Sequence, residues 1–344
     1  MRFSIPFLAT ALTAATVIAA DFTPQPLSSA ITGVQPFTGI VLWSESQNNA
    51  STSIQLEFSY MLYNAVVKEQ GSYNWKPVDS LLDKIASRKH QAILRFRDTY
   101  PGYATSIPDY IKKLSGYQET EGQSENLKTS FPDWRNAELK RFILEFFTKF
   151  AQRYDNDPRL AYLQVGFGLW AEYHIYDGPN ELGRTFPDKA FQTAFLRHLD
   201  STFVKTPWSI SIDAADESMT PMASDKSLVG LRFGLFDDSF LCEDHGGYNT
   251  DCWNFFGRNR FLTSPAGGEF SYYSDTDQRL ALAANGPHGT SFETAAKNFH
   301  LSYMIGNDQP EYQTLDRIKK ASMACGYAFR IIECSTTADS AILR

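Results

Sequence analysis

Eight short runs rich in aliphatic, β-branched and aromatic residues alternate along this chain with longer polar or helix-patterned stretches. That alternation is its tightest structural constraint, because parallel strands need long crossovers and those crossovers are usually helical. The runs are 39–45 (GIVLWSE), 53–60 (SIQLEFSY), 91–98 (QAILRFRD), 161–170 (AYLQVGFGLW), 208–215 (WSISIDAA), 231–238 (LRFGLFDD), 265–273 (PAGGEFSYY) and 300–307 (HLSYMIGN). Between them, Val78, Leu81, Leu82 and Ile85, then Leu139, Phe142, Ile143, Phe146, Phe147 and Phe150, recur at helical spacing and predict core-facing stripes. Eight strands with helical crossovers predict an α/β fold, a (β/α)8 TIM barrel. The polar stretch 115–133 reads as a surface loop inserted after the third strand.

The chain has 344 residues, and a barrel of this kind takes about 250. Residues 1–20 read as a signal peptide: one early Arg, an apolar run, then small residues. The barrel is expected over 21–322, and 323–344 as a short C-terminal β extension. No other segment has the length of a membrane span, so the expected product is secreted, extracellular and monomeric. A net charge of -7 excludes a nucleic-acid partner, since phosphate binding needs a concentrated basic surface and only "RFR" at 95–97 is locally basic. Cys242 and Cys252 lie ten apart and Cys325 and Cys334 nine apart, which suits two local disulfides in an oxidising compartment better than zinc ligands. Asn49 opens a glycosylation sequon.

In such a barrel the C-terminal ends of the strands converge on one mouth, where catalysis sits. The strand ends deliver Trp43 and Glu45; Glu57 and Tyr60; Arg95, Arg97 and Asp98; Glu172 and His174; Asp213 and Asp216; Asp237 and Asp238; Glu269; and His300, Tyr303 and Asn307. An acidic, aromatic mouth suits a carbohydrate, whose C–H faces stack on rings and whose hydroxyls need oriented partners. The expected substrate-binding residues are Trp43, Arg95, Arg97, Trp170, Tyr173, His174, Asp213, Asp237, His300 and Tyr303. Cleaving a glycosidic bond needs two carboxyl groups, one protonated and one ionised. Glu172, between Trp170 and Tyr173, is expected to be the acid/base because desolvation favours its neutral form. Glu269, after Gly267 and Gly268, is expected to be the nucleophile, stabilised by approachable backbone N–H groups. No cofactor and no metal are expected, although Glu172 with His174 is a possible ligand pair. Arg95 and Arg97 leave two readings open: ion pairs with Glu57 or the sixth-strand aspartates, or a grip on a carboxylate-bearing sugar. Two other activities use the same residues, a non-catalytic carbohydrate-binding barrel and a polysaccharide lyase acting on a uronate-containing glycan.

The segments "GFGLWAEYH" and "PAGGEF" resemble the strand-four and strand-seven motifs of the DUF4832 family of secreted glycoside-hydrolase-like barrels, and "AILRFR", "HLSYMIGN" and "CGYAFRI" resemble its other recurrent stretches. The similarity runs over about residues 38–330. It implies a (β/α)8 barrel near the retaining clan with glutamates on strands four and seven, again Glu172 and Glu269. Two features depart from that pattern. Ala171 stands where the clan has an Asn that contacts the substrate 2-hydroxyl. The β-sandwich that often follows the barrel would have only its opening strand here.

Overall fold

The computed structural model describes residues 23–26, 30–336 and 341–343; the expected signal peptide lies outside them. All eight expected strands form: β1 (Gly39–Trp43), β2 (Leu56–Leu62), β3 (Gln91–Arg97), β4 (Leu160–Gln164), β5 (Trp208–Ser211), β6 (Gly234–Phe240), β7 (Ala266–Phe270) and β8 (Tyr303–Ile305). They close into one barrel in sequence order, with β8 returning to β1 and every pairing parallel.

Two apolar clusters follow from the alternation of side chains across each strand. Val41, Leu56, Phe58, Ile93, Tyr303 and Ile305 form the inner one. The outer one joins the sheet to the helices, including α1 (Lys76–Ser87), α2 (Ala137–Tyr154) and α3 (Lys189–Thr202). The helical stripe of α2 is buried as its spacing predicts, and its start is fixed by Asn136, whose side chain accepts from Leu139 N at 3.0 Å. Asp188 caps α3 in the same way.

The stretch 115–133 is not an irregular loop. It contains an antiparallel hairpin, Thr120–Ser124 paired with Leu127–Phe131. Glu125 and Asn126 turn it with φ of 52° and 59°, the left-handed pair that matches the twist of a tight hairpin. Its polar outer face hid it, since only Ser124, Thr129, Ser130 and Phe131 turn inward and just one of these is apolar.

The terminal segments form a second small unit: Glu333–Thr336 pairs antiparallel with Thr23–Pro26 on one side and Ala341–Leu343 on the other. The expected disulfides are not made, and all four cysteines are free thiols. Cys242 faces Asn249, Cys252 lies on the helix Thr250–Phe256 beside Tyr248, and Cys325 donates to Ala321 O at 3.7 Å. Asn49 is likewise unavailable as a glycan acceptor, because it is buried and its amide donates to Trp43 O at 2.8 Å.

Candidate active site

Glu172 is not on β4 itself. The strand ends at Gln164, and the chain then folds into a tight coil in which Gly168, Trp170, Ala171 and Tyr173 have φ of 79°, 52°, 62° and 62°. Three non-glycine residues in the left-handed region cost on the order of 1 kcal/mol or more each and persist only when their surroundings over-determine them. Here Trp170 N donates to Thr99 O, Leu169 N to His174 O and Tyr173 N to Phe167 O. Gly166 is obligatory, since a Cβ there would sit 2.0 Å from Ala171 O. The coil buries Leu169, Ala171 and Tyr173 and directs Trp170, Glu172 and His174 to the mouth.

Beneath Glu172 a polar column descends through the barrel. Arg95 contacts the Glu172 carboxyl directly, its Nε donates to Gln164 Oε1 at 2.8 Å, and Gln164 Nε2 donates to Tyr303 Oη at 2.7 Å. The guanidinium is 1% exposed and packs against Phe58, Tyr60 and Phe236. Tyr303 in turn explains Gly267: a Cβ there would lie 2.3 Å from the tyrosine ring. A Cβ on Gly268 would lie 2.1 Å from Asp237 O. The two glycines make room for protein packing rather than for an anion.

Around Glu172 stand Asp238, His174 and Asp213. Burial and the neighbouring Asp238 carboxylate, with which it hydrogen-bonds, push the Glu172 carboxyl well above its usual range, against the opposing pull of Arg95. Burial and Asp213 also raise Asp238. Burial alone would lower His174, but Asp213 at 3.3 Å and Glu172 at 3.8 Å lift it above its ordinary value. Asp213 is held low despite burial by His174, Ser211 and Tyr248. Glu269, half-buried at the end of β7, makes no hydrogen bond or ion pair among the described residues. Burial and the charge of Glu172 push it up to about 8, with Arg95 opposing.

Several expected positions are corrected. Asp237 faces the helix layer, where His245, Asn249, Trp253 and Ser239 N occupy both its oxygens; it is fully buried, and its neighbour Asp238 holds the place in the mouth. Strand parity near the bulge in β6 accounts for the one-residue error. His300 precedes β8, so it lies at the opposite end of the barrel, stacked 3.7 Å from Phe261. Tyr303 and Arg95 are interior supports, and Tyr173 is packed between Phe167 and Phe186. None of these five can touch a substrate in the mouth. Glu57 also points outward, bound by Arg88 and His90, so neither inward arginine uses it.

Trp43, Arg97, Trp170, His174 and Asp213 do gather at the mouth. Trp43 meets Tyr60 edge-on, Trp170 meets Tyr100 and stacks on Tyr176, and a cleft of about 400 Å³ opens beside Trp43, Glu45, Asn307 and Glu311. Tyr100, Tyr103 and Tyr248 were not expected there, because they come from loops rather than strand ends. The clustered aromatics of "DTYPGY" directly after β3 were the available signal. Glu172, His174 and Asp238 bring ligand-type atoms within 4.8 Å of one another. Arg95 already supplies the positive charge to that group, which opposes a cation there.

No protein-family profile matches the chain, and no curated protein sequence does. Solved structures do. Xylanase10C from Cellvibrio japonicus, in complex with xylopentaose, superposes with a TM-score of 0.51 at 8% identity, over 83% of this chain and 67% of that one. Endo-glycoceramidase II from Rhodococcus sp., as a lactosyl-enzyme intermediate, gives 0.49 at 11% identity over 82% and 77%. The similarity is one of fold, and the neighbours are glycoside-hydrolase barrels.

Proposed function

We propose that this chain is an exported glycoside hydrolase of the DUF4832 type, cleaving an oligo- or polysaccharide with Glu172 as acid/base and Glu269 as nucleophile. One observation carries the reading. Two glutamates from opposite sides of the barrel meet in the field of a single buried guanidinium, one clamped by hydrogen bonds and the other without a partner among the described residues.

The electrostatics support that division. Glu172 holds a proton because burial and Asp238 favour its neutral form. Once Glu172 is neutral, its contribution to raising Glu269 disappears while Arg95 still attracts the anion, so Glu269 is the group that ionises. Glu269 attacks the anomeric carbon as Glu172 gives its proton to the departing oxygen. Arg95 then balances the charge left on Glu172. Water, deprotonated by Glu172, releases the sugar from Glu269 with retained configuration. His174, fixed by Asp213, borders the leaving side.

The test is reducing-end release from plant, algal and fungal polysaccharides by the intact protein, Glu172→Gln and Glu269→Gln. Loss of release in both variants supports the assignment, and release surviving both overturns it. An ultraviolet-absorbing unsaturated product would assign a lyase instead, and sugar binding with no product at all would assign a non-catalytic barrel.

A further inference from the structure

Arg97 is the last residue of β3 and shares the inward face of Arg95, yet its situation is the reverse. Arg95 is saturated with partners. The Arg97 guanidinium has no ion pair and donates no hydrogen bond among the described residues, and its Nε is buried with nothing to accept from it. Three tyrosine rings hold it instead: Tyr100 at 4.2 Å from the guanidinium carbon, Tyr103 at 5.7 Å and Tyr60 at 5.8 Å. Its sequence neighbour Asp98 attracts it through space but forms no ion pair with it, because that carboxyl is 2% exposed and lies by Tyr63 in the helix layer.

The cage is built, not incidental. Tyr100 meets Tyr60, Tyr103 and Trp170 edge-on, which fixes its face toward the guanidinium. The hairpin strand Leu127–Phe131 braces the loop from outside: Ser130 N donates to Tyr103 O and Gly102 N donates to Thr129 Oγ1. Ring faces attract a cation but accept no in-plane N–H bonds, so the guanidinium edge keeps its fork of donors free. A half-buried, unpaired arginine is costly unless an anion completes it, and burial already lowers its hold on its proton. The Tyr60 hydroxyl accepts from Arg95 Nη1 at 3.4 Å, and Arg95 holds Glu172, so the free fork lies next to the proposed catalytic centre.

We infer that Arg97 is a specificity residue that binds an anionic group, a carboxylate or a sulfate, on the sugar beside the scissile bond. Planar carboxylates match the fork in a bidentate pair, and among the described residues of the acidic mouth no other cation is left unpaired for an anionic substrate. The inference rests on the glycan-cleaving reading but not on turnover.

Binding therefore tests it separately, by calorimetry on the Glu269→Gln protein. The probes are oligogalacturonate and oligoglucuronate, each beside its carboxyl-reduced neutral counterpart, and sulfated carrageenan oligosaccharides beside their desulfated forms. At least one anionic probe should bind tenfold or more tighter than its neutral partner, with a preference that shrinks at high salt. Arg97→Gln should abolish that preference and leave neutral affinity unchanged, and Arg97→Lys should keep part of it. The uronate and sulfate arms identify the anion. Neutral probes bound as well as anionic ones, a preference that survives Arg97→Gln, or no binding by any probe would overturn the inference. Should Arg97→Gln fail to show a cooperative melt, Arg97→Lys decides alone. Uronate binding without cleavage by the intact protein would sink the hydrolase reading and leave this one standing, and cleavage confined to neutral glycans would do the opposite.

Discussion

The Arg95 guanidinium contacts the Glu172 carboxyl with one nitrogen and anchors to Gln164 with another, so a single buried cation both orients the proposed acid and ties it to the barrel wall. Removing the guanidinium leaves the Gln164 oxygen and the Glu172 carboxyl without their buried donor, at a cost of about 1–3 kcal/mol for each unsatisfied group. Arg95→Met should lower the melting temperature strongly. Arg95→Lys keeps the charge but loses the fork, and should fold with kcat reduced while KM stays near its original value. Steady-state kinetics beside a melting curve separate the two effects, and an unchanged kcat in Arg95→Lys would contradict the positioning role.

Asp238 should control the alkaline limb of activity. Its carboxylate disfavours the ionised form of Glu172, so replacing it with neutral Asn lets Glu172 lose its proton at lower pH. The alkaline limb of kcat/KM in Asp238→Asn should move toward acid. A shift toward higher pH, or none, would mean that Asp238 does not act on the acid.

The two glutamates should separate by leaving group. An aryl glycoside with a good leaving group needs little protonation, so Glu172→Gln should retain much of its kcat/KM on a dinitrophenyl glycoside, with kcat lowered by the slowed second step, while losing about 10²- to 10⁴-fold in kcat/KM on an unactivated glycan. Glu269→Gln should lose both. Equal losses on both substrates in Glu172→Gln would remove it from the acid role.

Asp98 predicts a stability effect outside the site. Burial pushes its carboxyl up to about 7 from an ordinary value of 3.8, against the opposing pull of its own and Thr99's backbone N–H groups, the Thr99 hydroxyl and Arg97. A raised carboxyl binds more protons folded than unfolded across that window, so folding stability falls as pH rises from about 4 to 7 and stays low above it. Asp98→Asn removes the penalty. It should leave stability near pH 4 unchanged and raise it at pH 8 by an amount on the order of 2–4 kcal/mol, read by denaturant unfolding at the two pH values. A variant less stable at pH 8 would contradict the assignment.

The strands were legible because each is a compact apolar run, and α1 and α2 because their stripes obey helical spacing. Glu269 was legible as a carboxylate at a strand end, whereas Glu172 reaches the mouth from the coil that follows β4. What misled was parity and direction. One residue of register exchanged Asp237 for Asp238, and His300 was counted at the mouth although it stands at the N-terminal start of its run. The hairpin at 120–131 escaped because its inward residues are mostly polar. The caging tyrosines escaped because loops converge in space without any periodicity to announce it. Ala171 is explained by the backbone: in its left-handed coil the side chain is fully buried, so no residue there could reach a sugar hydroxyl.

The column from Tyr303 through Gln164 and Arg95 to Glu172 also sets a limit on redesign. Barrels of this type invite stabilisation by filling their interior with branched aliphatics. In this chain such a campaign would cut a polar relay reaching from the first residue of β8 to the mouth. Thermostable variants selected without an activity screen would therefore lose the proposed activity, and the useful stabilising substitutions lie in the helical shell.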